Sequence, residues 1–129
     1  MGQPLTILIA ERNRHVRELL RRELEGEGYC VLAAKDGHEA WEFLNTANPP
    51  ALLVLDLEIP YLEELAERAH FSDQGPPLPT IIYSYATEVA EHLAVSREAA
   101  FLEKTADLDD LKALVAQILG CPAHTAFKE

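Results

Sequence analysis

The sequence predicts a doubly wound α/β domain: five parallel strands, in the order 2-1-3-4-5, with helices on both faces. Two observations carry this. Short runs of nearly continuous apolar residues, the pattern of strands buried on both faces, recur along the chain, and between them lie segments whose apolar residues repeat at helical spacing. Alternating strands and helices with right-handed crossovers leave few other arrangements.

The elements follow in order. Leu5 to Ala10 (LTILIA) is a strand, after which Asn13 can cap a helix whose Val16, Leu19, Leu20 and Leu24 share one face and which Gly26 and Gly28 stop. Tyr29 to Ala34 is a second strand, and Asp36-Gly37 turns the chain into a helix carrying Ala40, Trp41 and Leu44, ended by Asn48-Pro49-Pro50. Trp41 serves helix packing. Ala51 to Leu57 (ALLVLDL) is the most apolar run and hence the central strand, with Asp56 near its carboxyl end. A third helix is predicted over Tyr61 to Ala69, then a proline-rich loop (DQGPPLP), the strand Thr80 to Ser84 and a fourth helix over Thr87 to Ala94. Ala99 to Glu103 is the fifth strand. Leu108, Leu111, Leu114, Val115 and Ile118 form the inward stripe of a fifth helix closed by Gly120. Residues 1–120 are expected to form one domain, and 121–129 a frayed tail.

Composition narrows the function. The chain has 129 residues, 48% of them apolar and 26% charged, enough to bury one core without staples. Acids outnumber bases 22 to 11, giving a net charge of −11 that repels phosphate backbones and anionic lipid, so neither direct nucleic-acid nor membrane binding is expected. With no apolar run long enough to span a bilayer and no leader pattern, the expectation is a cytoplasmic protein. Cys30 and Cys121 lack metal or redox spacing and read as reduced thiols, and the histidines at 15, 38, 70, 92 and 124 lack ligand spacing.

In such sheets ligands bind beyond the carboxyl ends of the strands. The polar residues expected there are Glu11 and Arg12, Asp56, Ser84 and Lys104. A carboxylate projecting from a rigid strand end can attack phosphorus to form an acyl phosphate, and the transferred group then needs cations and donors about its oxygens. Lys104 is the candidate cation and Ser84 the candidate donor. A flavin- or phosphate-binding enzyme on the same fold would need a glycine-rich turn after the first strand, whereas ERNRHV contains no glycine.

From Leu5 to about Leu119 the chain resembles the response-regulator receiver domains of two-component signalling, which share the flavodoxin-like fold. The stretch VRELLRRELEGEGYCVLAAKDGHEA resembles the family's first helix, second strand and second-helix start, and LLVLDLEIP matches the phosphoacceptor motif, with Asp56 at the accepting aspartate and Pro60 at the trailing proline. PTIIYSYA puts Ser84 at the hydroxyl position, and AAFLEKTADLDDL puts Lys104 at the lysine and Phe101 at the switch aromatic, itself expected in the core. The resemblance implies a regulatory domain, not an enzyme, taking a phosphoryl group on Asp56 from a histidine kinase or phosphotransfer protein. It also implies a downstream protein target, met by the face of the fourth helix, fifth strand and fifth helix, which here includes His92, Arg97, Glu103 and Asp107. The resemblance is compatible both with a stand-alone receiver and with a piece of a longer regulator.

The pattern departs from the family at Arg12. There the family has the second of two acids, which binds Mg²⁺ together with the accepting aspartate and the main-chain carbonyl at Glu58. Glu11 still stands for the first acid, so a metal set of Glu11, Asp56 and Glu58 would make a weak or absent Mg²⁺ site. Glu11, Arg12, Asp56 and Lys104 sum to zero charge, where three carboxylates and a lysine would attract a hard divalent cation. The Glu58 side chain is expected to point to solvent; folded inward, it would restore one negative charge. Thr105 stands in place of a proline, YLEEL lacks the glycine of the following turn, and Tyr85 replaces a small residue beside the crevice. Two readings stay open: Arg12 substitutes for the metal in a receiver with weakened Mg²⁺ dependence, or it pairs permanently with Asp56 in a pseudo-receiver that binds proteins independently of phosphorylation.

Overall fold

The computed structural model describes residues 4–69, 78–85, 100–104 and 107–120. Strands β1 (Thr6–Ala10), β2 (Cys30–Ala34), β3 (Leu52–Leu55), β4 (Thr80–Ser84) and β5 (Ala100–Glu103) form one parallel sheet in the order β2-β1-β3-β4-β5. The helices are α1 (Arg14–Gly26), α2 (Gly37–Leu44), α3 (Leu62–Arg68) and α4 (Leu108–Leu119), the last being the fifth helix expected from the sequence. The expected helix over Thr87 to Ala94, most of the proline-rich loop, Thr105 and the tail lie outside the described residues. No helix among the described residues is long and apolar enough to cross a membrane.

Period-two alternation sorts the strand residues between two cores. Leu8, Ala10, Leu53, Leu55 and Ile82 face α2 and α3, where Ala40, Leu62 and Leu65 meet them. Ile7, Ile9, Leu52, Val54, Ile81 and Tyr83 face α1 and α4, meeting Leu20, Leu24, Leu111 and Val115. Trp41 packs partly buried against the first core, in keeping with its expected role. On β5, Ala100 and Leu102 pack toward the second core, so the same alternation turns Phe101 the other way. It is 41% exposed, not the core residue expected from its aromatic character.

Helix starts are fixed by side-chain caps that satisfy otherwise orphaned N–H groups. Asn13 Oδ1 accepts from the Val16 N–H at 3.0 Å, Asp36 Oδ1 from Glu39 N–H at 2.9 Å, and Asp107 Oδ1 from Asp109 N–H at 3.1 Å. Helix α3 begins differently. Its first flanking residue, Tyr61, takes a left-handed conformation (φ 62°) where a glycine is absent from the sequence. The turn is thus kept at the steric cost of a side chain at positive φ, and the Tyr61 ring stacks on His38 with centroids 3.9 Å apart. His38 also meets the Glu64 carboxylate. Gly37 lies beneath: its N–H donates to the Pro60 carbonyl at 2.8 Å, and a Cβ there would run into the Tyr61 carbonyl.

Two glycine substitutions should therefore differ in sign. Gly37→Ala is expected to destabilise the fold by about 1–3 kcal/mol through overpacking. Gly26→Ala, with nothing within 4 Å of the added methyl, should gain about 0.5–1 kcal/mol at a helical position. Urea denaturation of both variants reads the difference.

Candidate functional site

The same device brings three of the predicted polar residues to one rim. Glu11, Asp56 and Lys104 each follow the last residue of a strand or its short extension, and each donates its backbone N–H across the sheet: Glu11 to the Ala34 carbonyl at 3.0 Å, Asp56 to Ala10 at 2.9 Å, Lys104 to Ser84 at 3.1 Å. The ladder thus runs one residue past the strands, and the backbone of every one of these groups is held by the sheet. Ser84 closes β4 and is fully buried.

Their side chains converge. Lys104 Nζ lies 3.2 Å from Asp56 Oδ1 and 3.3 Å from Glu11 Oε1, and the lysine side chain is only 8% exposed. Asp56 gathers further donors: the Glu58 N–H to Oδ1 at 3.0 Å and the Arg12 N–H to Oδ2 at 3.3 Å. Arg12 Nε stands 3.6 Å from Asp56 Oδ2, while Arg12 Nη1 bonds Glu58 Oε1 at 3.0 Å. The guanidinium therefore bridges the buried aspartate and the glutamate two residues on. Glu58 is exposed, as expected, and its carboxylate also pairs with the Arg12 guanidinium, an exposed ion pair of modest strength. The five charged side chains together carry one net negative charge.

Glu11 is turned inward by the Asn13 N–H, which donates to Oε2 at 3.1 Å. Burial, and next the Asp56 carboxylate, push the Glu11 carboxyl above its ordinary value of 4.5, against the Asn13 N–H and the Lys104 ammonium. Burial pulls the Lys104 ammonium down, but Asp56 and Glu11 outweigh it and hold it above its ordinary 10.5. The Tyr85 ring lies beside this cation, its centroid 5.5 Å from Nζ.

Arg17 went unnoticed in the sequence. Its Nη1 donates to the carbonyls of Glu11 at 2.8 Å and Arg12 at 3.3 Å, clamping the β1–α1 turn that presents both. Nothing distinguishes it in sequence from the neighbouring arginines of α1. Phe101 stands apart from the cluster, outward on β5. Among the described residues no group of three histidine, cysteine or carboxylate side chains has the disposition of a metal site.

A buried carboxylate flanked by a second carboxylate and a lysine, at the carboxyl ends of a parallel sheet ordered 2-1-3-4-5, defines a class of regulatory domain. The sequence matches the response regulator receiver domain family over residues 7–116. The chain belongs to that family. It is 34% identical over 118 residues to the response regulator MprA of Mycolicibacterium vanbaalenii, covering 90% of this chain and 51% of that protein. The MprA of Mycobacterium leprae is 35% identical over 117 residues, with 89% and 51% covered. The chain thus spans about half the length of these curated relatives. Among solved structures, TrrA of Thermotoga maritima in complex with Mg²⁺-BeF superposes with a TM-score of 0.69 at 25% identity, covering 88% of this chain and 98% of that one. The receiver domain of Francisella response regulator 1452 gives 0.70 at 24%, with 88% and 95% covered.

Lys104→Met leaves two buried carboxylates facing each other and should cost about 3–5 kcal/mol at neutral pH, the penalty for removing one partner of a buried pair. The linkage has a definite sign. Because the folded Lys104 is raised above 10.5, its contribution is complete below that pH and is lost as pH rises through the higher folded value. Stability profiles should therefore show a fall above about pH 10.5 in the native sequence that is missing in Lys104→Met, as read by urea denaturation across pH.

Proposed function

We propose that the domain accepts a phosphoryl group on Asp56, with Arg12 as the positive group beside the acceptor in place of a divalent cation. The observation that carries this is the position of the guanidinium, 3.6 Å from Asp56 Oδ2. An Asp56 oxygen attacks phosphorus, and the bond to the donor breaks with its electron pair staying on the leaving group: the imidazole of a phosphohistidine, or acetate from acetyl phosphate. Lys104 and Arg12 neutralise the charge spread over the phosphoryl oxygens, and the Ser84 hydroxyl donates to one of them. Histidine kinases or phosphotransfer proteins are the proposed donors. The side of the domain that carries β5 and α4, together with the expected fourth helix, is the proposed contact for a downstream protein.

A divalent ion does not fit these residues. Magnesium requires about six oxygen ligands in octahedral array, but both Asp56 oxygens already meet cations and backbone N–H groups, and the nearby Glu58 carboxylate is taken by Arg12. Like charges about 4 Å apart repel by roughly 4 kcal/mol at an effective dielectric constant of 20, and more for a double charge. A second reading, the pseudo-receiver, draws on another fact: the Asp56 side chain is wholly buried, so its charge is already paired without any ligand. In that case the domain binds proteins through its surface independently of phosphorylation.

Incubation with acetyl phosphate, with and without Mg²⁺, followed by intact mass, decides among these. A gain of one phosphoryl mass that is lost in Asp56→Ala and changes little with Mg²⁺ is expected. A strictly Mg²⁺-dependent gain overturns the role given to Arg12, and no gain under either condition favours the pseudo-receiver. Arg12→Asp is expected to raise Mg²⁺ affinity at least about tenfold by titration, because it replaces a repelling charge with a ligand.

A further inference from the structure

We infer that Arg17 is a positioning residue for the pocket: by gripping two backbone carbonyls it turns the peptide N–H groups behind them, and the Arg12 side chain between them, toward the buried carboxylates. This rests on the proposed acceptance of a phosphoryl group by Asp56 and adds a residue that acts on it through the backbone.

A peptide unit is planar and trans, so its C=O and N–H point in opposite directions; no peptide bond among the described residues is cis. The carbonyl of Glu11 shares its peptide with the N–H of Arg12, and the carbonyl of Arg12 with the N–H of Asn13. Arg17 Nη1 donates to both carbonyls, at 2.8 and 3.3 Å. The N–H groups then face the other way, and each meets a buried carboxylate: Arg12 N–H reaches Asp56 Oδ2 at 3.3 Å, and Asn13 N–H reaches Glu11 Oε2 at 3.1 Å. The same two peptides flank the Cα of Arg12. Fixing both planes fixes φ and ψ there, and with them the direction in which the side chain leaves the turn, bringing Nε to 3.6 Å from Asp56 Oδ2.

Arg17 is itself held where this grip needs it. Its N–H donates to the Asn13 carbonyl at 2.8 Å in the first turn of α1, which Asn13 caps, so its backbone belongs to the helix while its half-buried side chain reaches back to the strand end. A cation near a helix N-terminus is disfavoured by the helix dipole, and this first turn carries no acid to offset it. The carbonyls of the preceding turn do so instead. A guanidinium bonded to a carbonyl also polarises the peptide, which makes the N–H at its far end a stronger donor. Its charge is thus felt at the acceptor through two peptide units.

The test compares the native sequence with Arg17→Gln, Arg17→Lys and, as a control for lost charge on the same helix, Arg22→Gln at an exposed position. Each is followed by hydrogen exchange of single amides and by labelling with acetyl phosphate. In Arg17→Gln the Arg12 and Asn13 amides are expected to exchange at least about tenfold faster, and Asp56 to be labelled at least about tenfold more slowly, with Arg22→Gln at native rates. The Glu58 amide, which meets Asp56 from the β3–α3 side, should keep its native exchange. Arg17→Lys holds the charge on a shorter stem and should fall between the two; it carries the same comparison if the glutamine variant does not fold. Unchanged exchange at Arg12 and Asn13 overturns the inference, and so does an equal loss of protection at Glu58, which is a general loosening of the fold. Faster exchange with native labelling overturns it too, because the aim of the turn then has no bearing on transfer. Faster exchange at Arg12 and Asn13 with no labelling of Asp56 in any form, native included, sustains the grip and defeats the phosphoacceptor reading instead.

Discussion

The ammonium of Lys104, held between the carboxylates of Glu11 and Asp56, is the interaction on which the rest of the rim depends. Two carboxylates at the mouth of a buried sheet repel each other, and taking either out of water is unfavourable. The lysine offsets both effects only because its own backbone is tied to β4, the strand that follows β3 in the sheet. Sheet order and charge placement are thus one problem: the order β1-β3-β4-β5 sets the reach from one carboxylate pair to one cation.

Arg12 adds a second cation to this triad without entering it. Its side chain stays half exposed and works at the boundary, linking Asp56 inside to Glu58 outside. At this edge of the pocket a planar cation and an exposed carboxylate form an ion pair beside the buried triad. The Arg17 clamp on the carbonyls of Glu11 and Arg12 keeps this turn in shape.

Most of the framework was legible in the sequence because it is written in hydrophobic period. The five apolar runs gave the strands to within a residue or two, and the positions of Glu11, Asp56, Ser84 and Lys104 at strand ends followed from them. What was not legible is what half-exposed side chains do. Glu58 is exposed as expected, but its pairing with Arg12 was not foreseen, because that partner lies 46 residues away in sequence, beyond any local pattern. Phe101 was assigned to the core from its type, whereas strand alternation on β5 gave the inward positions to Ala100 and Leu102. The left-handed Tyr61 ran against propensity, since a tyrosine carries no local sign that it will occupy a glycine's conformation.

The close approach of the second helix to that turn ties two positions, 37 and 61, that are far apart in the chain. As long as residue 61 turns its carbonyl toward Gly37, only hydrogen fits at the helix start. A lineage that restored a glycine at 61 could redirect the peptide and free position 37 to vary, while one that first gained a side chain at 37 would meet a steric barrier. The pair should therefore leave a directional mark in the history of this branch: change at 61 before change at 37.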